Sequence, residues 1–145
     1  RILFTGTDLG EKSYLGSRLW RKEEWKEAVL TGLAQGKSTL PPAVEKYYSL
    51  YRAMDSLGSE SSLLALDNES PPKTLKEALA EGMPPGKKTE RITLALGPER
   101  GWSDRERALL KDRGFCLCSL GARVLRTETA VHMACALAMG ALDFI

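Results

Sequence analysis

The 145-residue sequence has few of the side chains that hold structural zinc, with three cysteines and one histidine. A zinc ribbon needs two Cys-x-x-Cys pairs or their equivalent, so we expect no metal site of that kind. The odd number of cysteines also disfavours a disulfide scaffold and indicates reduced thiols in a cytoplasmic protein. Cys116 and Cys118 lie in a short apolar run, where we expect them to fill the core as small hydrophobic side chains.

The sequence also lacks the apolar run of about 20 residues that a membrane-spanning helix requires. No secretory signal pattern follows Arg1, and because that first residue is not Met we interpret the sequence as part of a longer protein. The net charge is only +2, with no polybasic arm. If nucleic acid is the partner, we expect the main electrostatic contact outside these residues, because non-specific affinity comes from neutralised phosphates.

Short apolar runs alternate with amphipathic stretches along the chain. The predicted strands cover residues 2–5, 62–66, 91–96 and 115–120. The predicted helices cover residues 17–35, 74–81, 103–114 and 127–144. Residues 43–60 stay ambiguous, with a short helix over 50–57 as one interpretation, and residues 82–88 predict a loop. Strands that alternate with helices indicate a parallel sheet with helices on both faces.

Two strand exits are rich in loop-forming and polar residues. Residues 96–103 read LGPERGWS, and Ser103 with Glu106 forms the Ser-x-x-Glu pattern of a capping box. Residues 120–130 read LGARVLRTETA, in which Thr127 is a possible helix cap and Glu128 falls in the first helical turn. Either segment is by itself compatible with a tight connection that binds nothing. Ligands of open parallel sheets nevertheless bind at such places.

The last predicted helix is apolar on nearly every side. One apolar stripe consists of Val131, Ala134, Cys135, Ala138, Ala141 and Leu142. The other consists of Met133, Leu137, Gly140 and Phe144. Such a helix must be buried on nearly every side. A second copy of the chain, related by two-fold symmetry, is the favoured cover, and burial under the same protomer is the alternative.

Taken together, LALGPERGWS (94–103) and SLGARVLRTETA (119–130) resemble the paired signature of the RsmE family. That family comprises the 16S rRNA uridine-N3 methyltransferases of the SPOUT superfamily. Its usual pattern is a strand followed by GPEGGFS and, further along, LGxRILRTETA or LGxRVLRTETA. Residues 20–42 also resemble the family's tryptophan-bearing helix and the Gly-Lys and proline stretch after it.

The resemblance implies an α/β fold of the SPOUT type, a parallel sheet flanked by helices with a C-terminal trefoil knot. Residues 1–145 would form the SPOUT methyltransferase domain, without the family's N-terminal PUA-like domain and first catalytic-domain helix. The resemblance also implies a homodimer through the C-terminal helix. Pattern arguments alone do not predict a knot, since chains rarely thread their own loops.

S-adenosyl-L-methionine is the implied cofactor, bound within the knot. Carried over residue by residue, its pocket would comprise Leu66, Leu96, Gly97, Gly101, Leu120, Gly121, Val124 and Leu125. The implied reaction is methylation of uridine N3 in small-subunit (16S) ribosomal RNA, so ribosomal RNA or the small ribosomal subunit is the expected partner. N3 must lose a proton, which requires a base or a cation that stabilises the anion. We predict that Arg126 holds the uracil oxygens and that Glu128 accepts the proton or orients Arg126.

Other interpretations stay open. A SPOUT enzyme that acts on tRNA or on a ribose 2′-hydroxyl would share these motifs, as would a homologue that binds the cofactor without catalysis. A Rossmann-type enzyme is disfavoured because no G-x-G-x-x-G follows a strand. Arg100 stands where the family usually has glycine, and Trp102 where it usually has phenylalanine. If the backbone at residue 100 needs a positive φ, arginine would be strained there.

Overall fold

The computed structural model describes residues 1–58, 62–69, 71–82 and 91–144. The chain divides into two compact units, Arg1–Ser56 and Leu57–Ile145. The loop predicted for residues 82–88 lies outside the described residues from residue 83 onward. The assignment of residues 1–145 to one methyltransferase domain stays a prediction.

The first unit is built on two parallel strands, β1 (Ile2–Thr5) and β2 (Val44–Tyr47), which pair along their whole length. A 3-10 helix at Lys12–Gly16 and the helices α1 (Arg18–Arg21), α2 (Trp25–Gln35) and α3 (Leu50–Asp55) complete it. The strand predicted at residues 2–5 is confirmed. The ambiguous stretch 43–60 contains a strand followed by a short helix.

The prediction of a single helix over residues 17–35 is wrong, because the helix is interrupted between α1 and α2. Glu23 has a φ of 55°, in the left-handed region that ends a helix. The break brings the rings of Trp20 and Trp25 to a centroid distance of 6.1 Å, and Trp20 meets Phe4 edge-on at 5.2 Å. The interruption of the helix therefore goes together with packing of these aromatic rings. The apolar periodicity of the sequence did not predict it.

The second unit holds a four-stranded parallel sheet in the order β4-β6-β3-β5. Its strands are β3 (Ser62–Leu66), β4 (Lys73–Thr74), β5 (Ile92–Leu96) and β6 (Cys116–Ser119). Its helices are α4 (Leu75–Gly82), α5 (Asp104–Asp112) and α6 (Thr127–Ala141). The expected α/β alternation and parallel pairing are confirmed, and the pairing is divided between two sheets, one in each unit.

The core of the second unit lies where α4 and α6 pack on the sheet. It comprises Leu64, Leu75, Ala78, Leu79, Cys118 and Ala134. Cys118 is fully buried, which confirms its expected core role, and this burial raises the pKa of its thiol to about 12. On the opposite face of β6, Leu117 is buried and α5 packs against the strand. Among the described residues, no cluster of side chains could hold a metal ion.

Helix α5 begins and ends as its sequence predicts. The Ser103 hydroxyl accepts the Glu106 N–H at 3.1 Å, and the Glu106 carboxylate accepts the Ser103 N–H at 3.0 Å, which completes the capping box. After the helix, Gly114 takes a φ of 84°, which suits glycine. A cap of this kind stabilises a helix by roughly 1 kcal/mol. The helix start is therefore fixed directly after the segment that leaves β5.

Candidate functional site

Three neighbouring strands of the second unit end at the same level. Leu66, the last residue of β3, lies opposite Leu96 in β5 and Cys118 in β6. The Asp67 N–H donates to the Cys118 carbonyl at 2.9 Å, so the contact with β6 continues one residue past β3. Since the strands are parallel, the segments that follow them leave from one edge of the sheet. This edge is where open α/β sheets bind their ligands.

The segment between β5 and α5 is packed onto the end of β3 by Trp102. This indole is only 2% exposed, and its Nε1–H donates to the Leu66 carbonyl at 2.8 Å. A Cβ atom at Gly97 would lie 3.2 Å from Cε2 of the same ring. Gly97 therefore provides the space that the indole occupies. The two predicted cofactor residues Leu66 and Gly97 meet at one tryptophan.

The left-handed backbone in this segment falls on Gly101, whose φ is 75° and whose N–H donates to the Pro98 carbonyl at 2.8 Å. Among the described residues, positive φ at non-glycine positions is confined to Glu23, Lys37 and Asp143. The condition under which Arg100 would be strained, a positive φ at residue 100, is therefore not met. The turn places the unusual conformation one residue later, on a glycine.

A buried ion pair lies beside the indole. Asp67 is 4% exposed, and its two carboxylate oxygens accept Nε and Nη2 of Arg107 at 2.9 and 3.2 Å. The hydrogen bond with Asp67 raises the pKa of the Arg107 guanidinium. Nη1 of Arg107 also contacts Glu69 at 3.0 Å and Asp104 at 3.2 Å. Sequence reasoning missed this pair, since its only signal is an acidic residue directly after a buried strand.

The segment that follows β6 contains four of the predicted cofactor residues. Gly121 has a φ of 114°, a conformation that favours glycine. Leu120 and Leu125 are half-buried, whereas Val124 is 73% exposed. The segment leaves the sheet at the edge where Leu66 ends β3, and β3 lies between β6 and β5 in the sheet.

The two predicted catalytic residues lie at the start of α6. Arg126 is the N-cap residue, and its carbonyl accepts the Ala130 N–H at 2.9 Å. The capping role expected of Thr127 is wrong, because Thr127 is already the first helical residue. The side chains of Arg126 and Glu128 are both exposed, and in the described part of the chain no hydrogen bond joins them. Both side chains are thus accessible from the solvent.

Helix α6 buries one narrow face and exposes another. Ala134 and Ala138 are buried, and the helix packs on α4 and β5. The exposed apolar face, which we define by Met133 and Leu137, belongs to the second predicted stripe, and these side chains are 41% and 39% exposed. The lone histidine, His132, is exposed, with Nδ1 2.6 Å from the Glu128 carbonyl. No helix in the described ranges is long and apolar enough to cross a membrane.

Residues 1–139 match the family of the RNA methyltransferase domain, and the chain belongs to that family. Within it, the chain is 34% identical over 143 residues to ribosomal RNA small subunit methyltransferase E of Treponema pallidum. That alignment covers 95% of the chain and 51% of the relative. The enzyme of the same name from Aquifex aeolicus is 28% identical over 144 residues, covering 90% of the chain and 57% of that relative. These similarities confirm the resemblance to the RsmE family.

Solved structures show the same relationship. The chain resembles ribosomal RNA small subunit methyltransferase E of Neisseria gonorrhoeae bound to S-adenosyl methionine, with a TM-score of 0.68 and 26% identity. The match covers 99% of the chain and 56% of that structure. A putative methyltransferase of Legionella pneumophila shares the fold with a TM-score of 0.69. The chain spans about half the length of the curated relatives it matches.

Proposed function

We propose that this chain is the catalytic domain of an S-adenosyl-L-methionine-dependent methyltransferase that modifies uridine N3 of 16S rRNA. The observation that carries the proposal is the register of Leu66, Leu96 and Cys118. The segments that we propose to hold the cofactor leave the sheet at the edge which this register defines, and Arg126 and Glu128 follow the last of them. The relatives named ribosomal RNA small subunit methyltransferase E support the reaction and the substrate.

The residues at the sheet edge fit the proposed cofactor. The half-buried leucines at positions 66, 96, 120 and 125 offer apolar surface to an adenine ring. Gly121 carries no Cβ, and an added one would have nothing within 4 Å, so a ligand can approach the backbone closely there. The cofactor would supply a methyl group activated by a sulfonium. The main task of the protein is then alignment, which can contribute about 7–11 kcal/mol.

The chemistry left to the side chains is removal of the N3 proton. A guanidinium at position 126 would donate to the uracil carbonyl oxygens and stabilise the negative charge that develops as N3 loses its proton. A carboxylate at position 128 would accept that proton, or would fix the guanidinium in place. Both side chains are exposed at the start of α6, which leaves space for a nucleotide that has left its base stack.

Strand order supports the proposed trefoil knot. β3 and β4 follow one another in the chain, yet β6 lies between them in the sheet. The chain must therefore cross β6 on its way from β3 to β4. Such a crossing is the first requirement for threading, which is otherwise rare in proteins.

The exposed apolar face of α6 supports a homodimer. Its members Met133 and Leu137 lie one helical turn apart on the same side of the helix, and exposed apolar patches commonly mark interfaces. A two-fold axis would let two such helices cover each other. Ribosomal RNA or the small ribosomal subunit is the proposed substrate partner, in the bacterial cytoplasm.

The decisive experiment uses the full-length parent protein with tritiated S-adenosyl-L-methionine and small ribosomal subunits that lack the modification. We expect label in 3-methyluridine of 16S rRNA. Label in tRNA or on a ribose 2′-oxygen would instead establish the other SPOUT reaction. Cofactor binding in calorimetry without any transfer would establish a homologue that has lost catalysis.

The Arg126→Ala variant tests the catalytic assignment in the same assay. We expect transfer to fall by at least about a hundred-fold, the loss typical of one stabilising donor, while the Kd for the cofactor stays near the wild-type value. Retained cofactor binding shows that the variant is folded. Transfer at the wild-type rate would rule out the assigned role of Arg126.

A further inference from the structure

We infer that Trp102, Asp67 and Arg107 form a clamp that positions the cofactor segment after β5 on the end of β3. The inference rests on the proposed function, because the segment that it positions is the proposed cofactor site. The clamp acts at two consecutive residues of one strand end, the carbonyl of Leu66 and the carboxylate of Asp67.

Both contacts are buried and join residues far apart in the sequence. Trp102 spans 36 positions to reach the Leu66 carbonyl, and Arg107 spans 40 positions to reach Asp67. The exposed fraction of the side chain is 1% for Asp67 and 13% for Arg107. Oδ1 of Asp67 also accepts the Asn68 N–H at 2.9 Å, whereas Arg107 is the charged partner of this carboxylate. A buried charge that loses its charged partner is unfavourable, so the guanidinium stabilises this geometry.

The two arms of the clamp enclose the start of α5. Trp102 directly precedes the capping box at Ser103, and Arg107 lies in the second turn of the helix. The Trp102 indole holds the loop before α5 against β3, and the Arg107 guanidinium holds α5 itself there. The capping box at Ser103 connects this loop to the helix. The segment 97–103 therefore has little freedom to move relative to β3 while both contacts hold.

This rigidity bears directly on the predicted cofactor residues. Leu66 accepts the indole hydrogen bond through its own carbonyl, and Gly97 lies against the ring so closely that a Cβ atom would not fit without a shift. A movement of Trp102 would displace both. The clamp residues are thus positioning residues that act through Leu66 and Gly97. Pre-organised supporting contacts of this kind hold a binding site in its productive geometry before the ligand arrives.

A double-mutant cycle in the full-length parent protein tests the ion-pair arm. The variants are Asp67→Asn, Arg107→Met and their combination, with cofactor Kd measured by calorimetry and unfolding measured in urea. We expect each single substitution to raise the Kd about ten-fold, as loss of a charged hydrogen bond does. We expect the double variant to raise it by much less than the product of the two, since the contacts are coupled.

The Trp102→Phe variant tests the indole arm and keeps the aromatic ring while it removes the N–H. We expect the KM for S-adenosyl-L-methionine to rise about five-fold, the size of one neutral hydrogen bond, with kcat almost unchanged. Arg18→Met is the matched control, because it removes an exposed arginine ion pair with Glu24 in the first unit. We expect wild-type cofactor affinity in that variant.

Two results would overturn the clamp, and they differ in what they say of the proposed function. If the wild-type protein binds the cofactor and the folded variants bind it equally well, with coupling confined to unfolding, then the contacts are structural only. If the wild-type protein itself binds no S-adenosyl-L-methionine, the proposed function fails together with the clamp.

Discussion

Gly97 offers the sharpest test of how the sheet edge is built, through the substitution Gly97→Ala. The added Cβ would lie 3.2, 3.3 and 3.4 Å from Cε2, Cδ2 and Nε1 of Trp102. Carbon atoms pack best at about 3.5–4.0 Å, so the ring has to move by a few tenths of an ångström. It cannot do so freely, because it is 2% exposed and bonded to the Leu66 carbonyl.

The expected cost follows from overpacking alone. Gly97 is not among the described glycines with positive φ, so alanine meets no backbone strain there. Forcing an extra carbon atom into a filled site typically costs about 1–3 kcal/mol. We therefore expect Gly97→Ala to lower the free energy of unfolding by that amount. Displacement of the indole should also weaken cofactor binding.

The matched control is Gly32→Ala in helix α2. Gly32 is exposed, and an added Cβ atom would have nothing within 4 Å, so the same substitution meets open space. Alanine is favoured over glycine in a helix by about 0.5–1 kcal/mol, so this variant should be stabilised. Urea unfolding followed by circular dichroism measures both. If Gly97→Ala proves as stable as Gly32→Ala, the argument from the indole contact is refuted.

Two further predictions concern acid stability and assembly. The hydrogen bond with Arg1 lowers the pKa of Glu45 from 4.5 to about 2, so the contribution of Glu45 to stability is complete above pH 4.5 and is lost as the pH falls towards 2. Glu45→Gln should therefore weaken the pH dependence of the free energy of unfolding between pH 4.5 and pH 2. An unchanged pH dependence would contradict this prediction. Leu137→Asp should convert the proposed dimer to a monomer, as measured by light scattering. The control is Leu30→Asp, at a leucine that is 64% exposed, which should leave the dimer intact. A dimer that survives Leu137→Asp would exclude the α6 interface.

Local signals in the sequence were sufficient for much of the second unit. The strand at residues 62–66, the capping box at Ser103 and the glycine that ends α5 were all predicted, because each depends on residues a few positions apart. Strand β4 was not predicted, since two residues leave no periodic pattern and pair only because β6 lies beside them. The interruption of the helix at Glu23 was not predicted for a similar reason, because it accompanies packing of Trp20 against Phe4, which is distant in the sequence.

The departures from the family's motif show the same division between local and distant causes. From sequence alone, Arg100 in place of glycine was expected to be strained only if residue 100 needed a positive φ, and no consequence was predicted for Trp102 in place of phenylalanine. Residue 100 needs no positive φ because Gly101 takes it, whereas the indole at 102 gains a hydrogen bond to Leu66 that a phenylalanine cannot make. The consequential change is therefore the one whose partner lies 36 residues away, where no local pattern could show it.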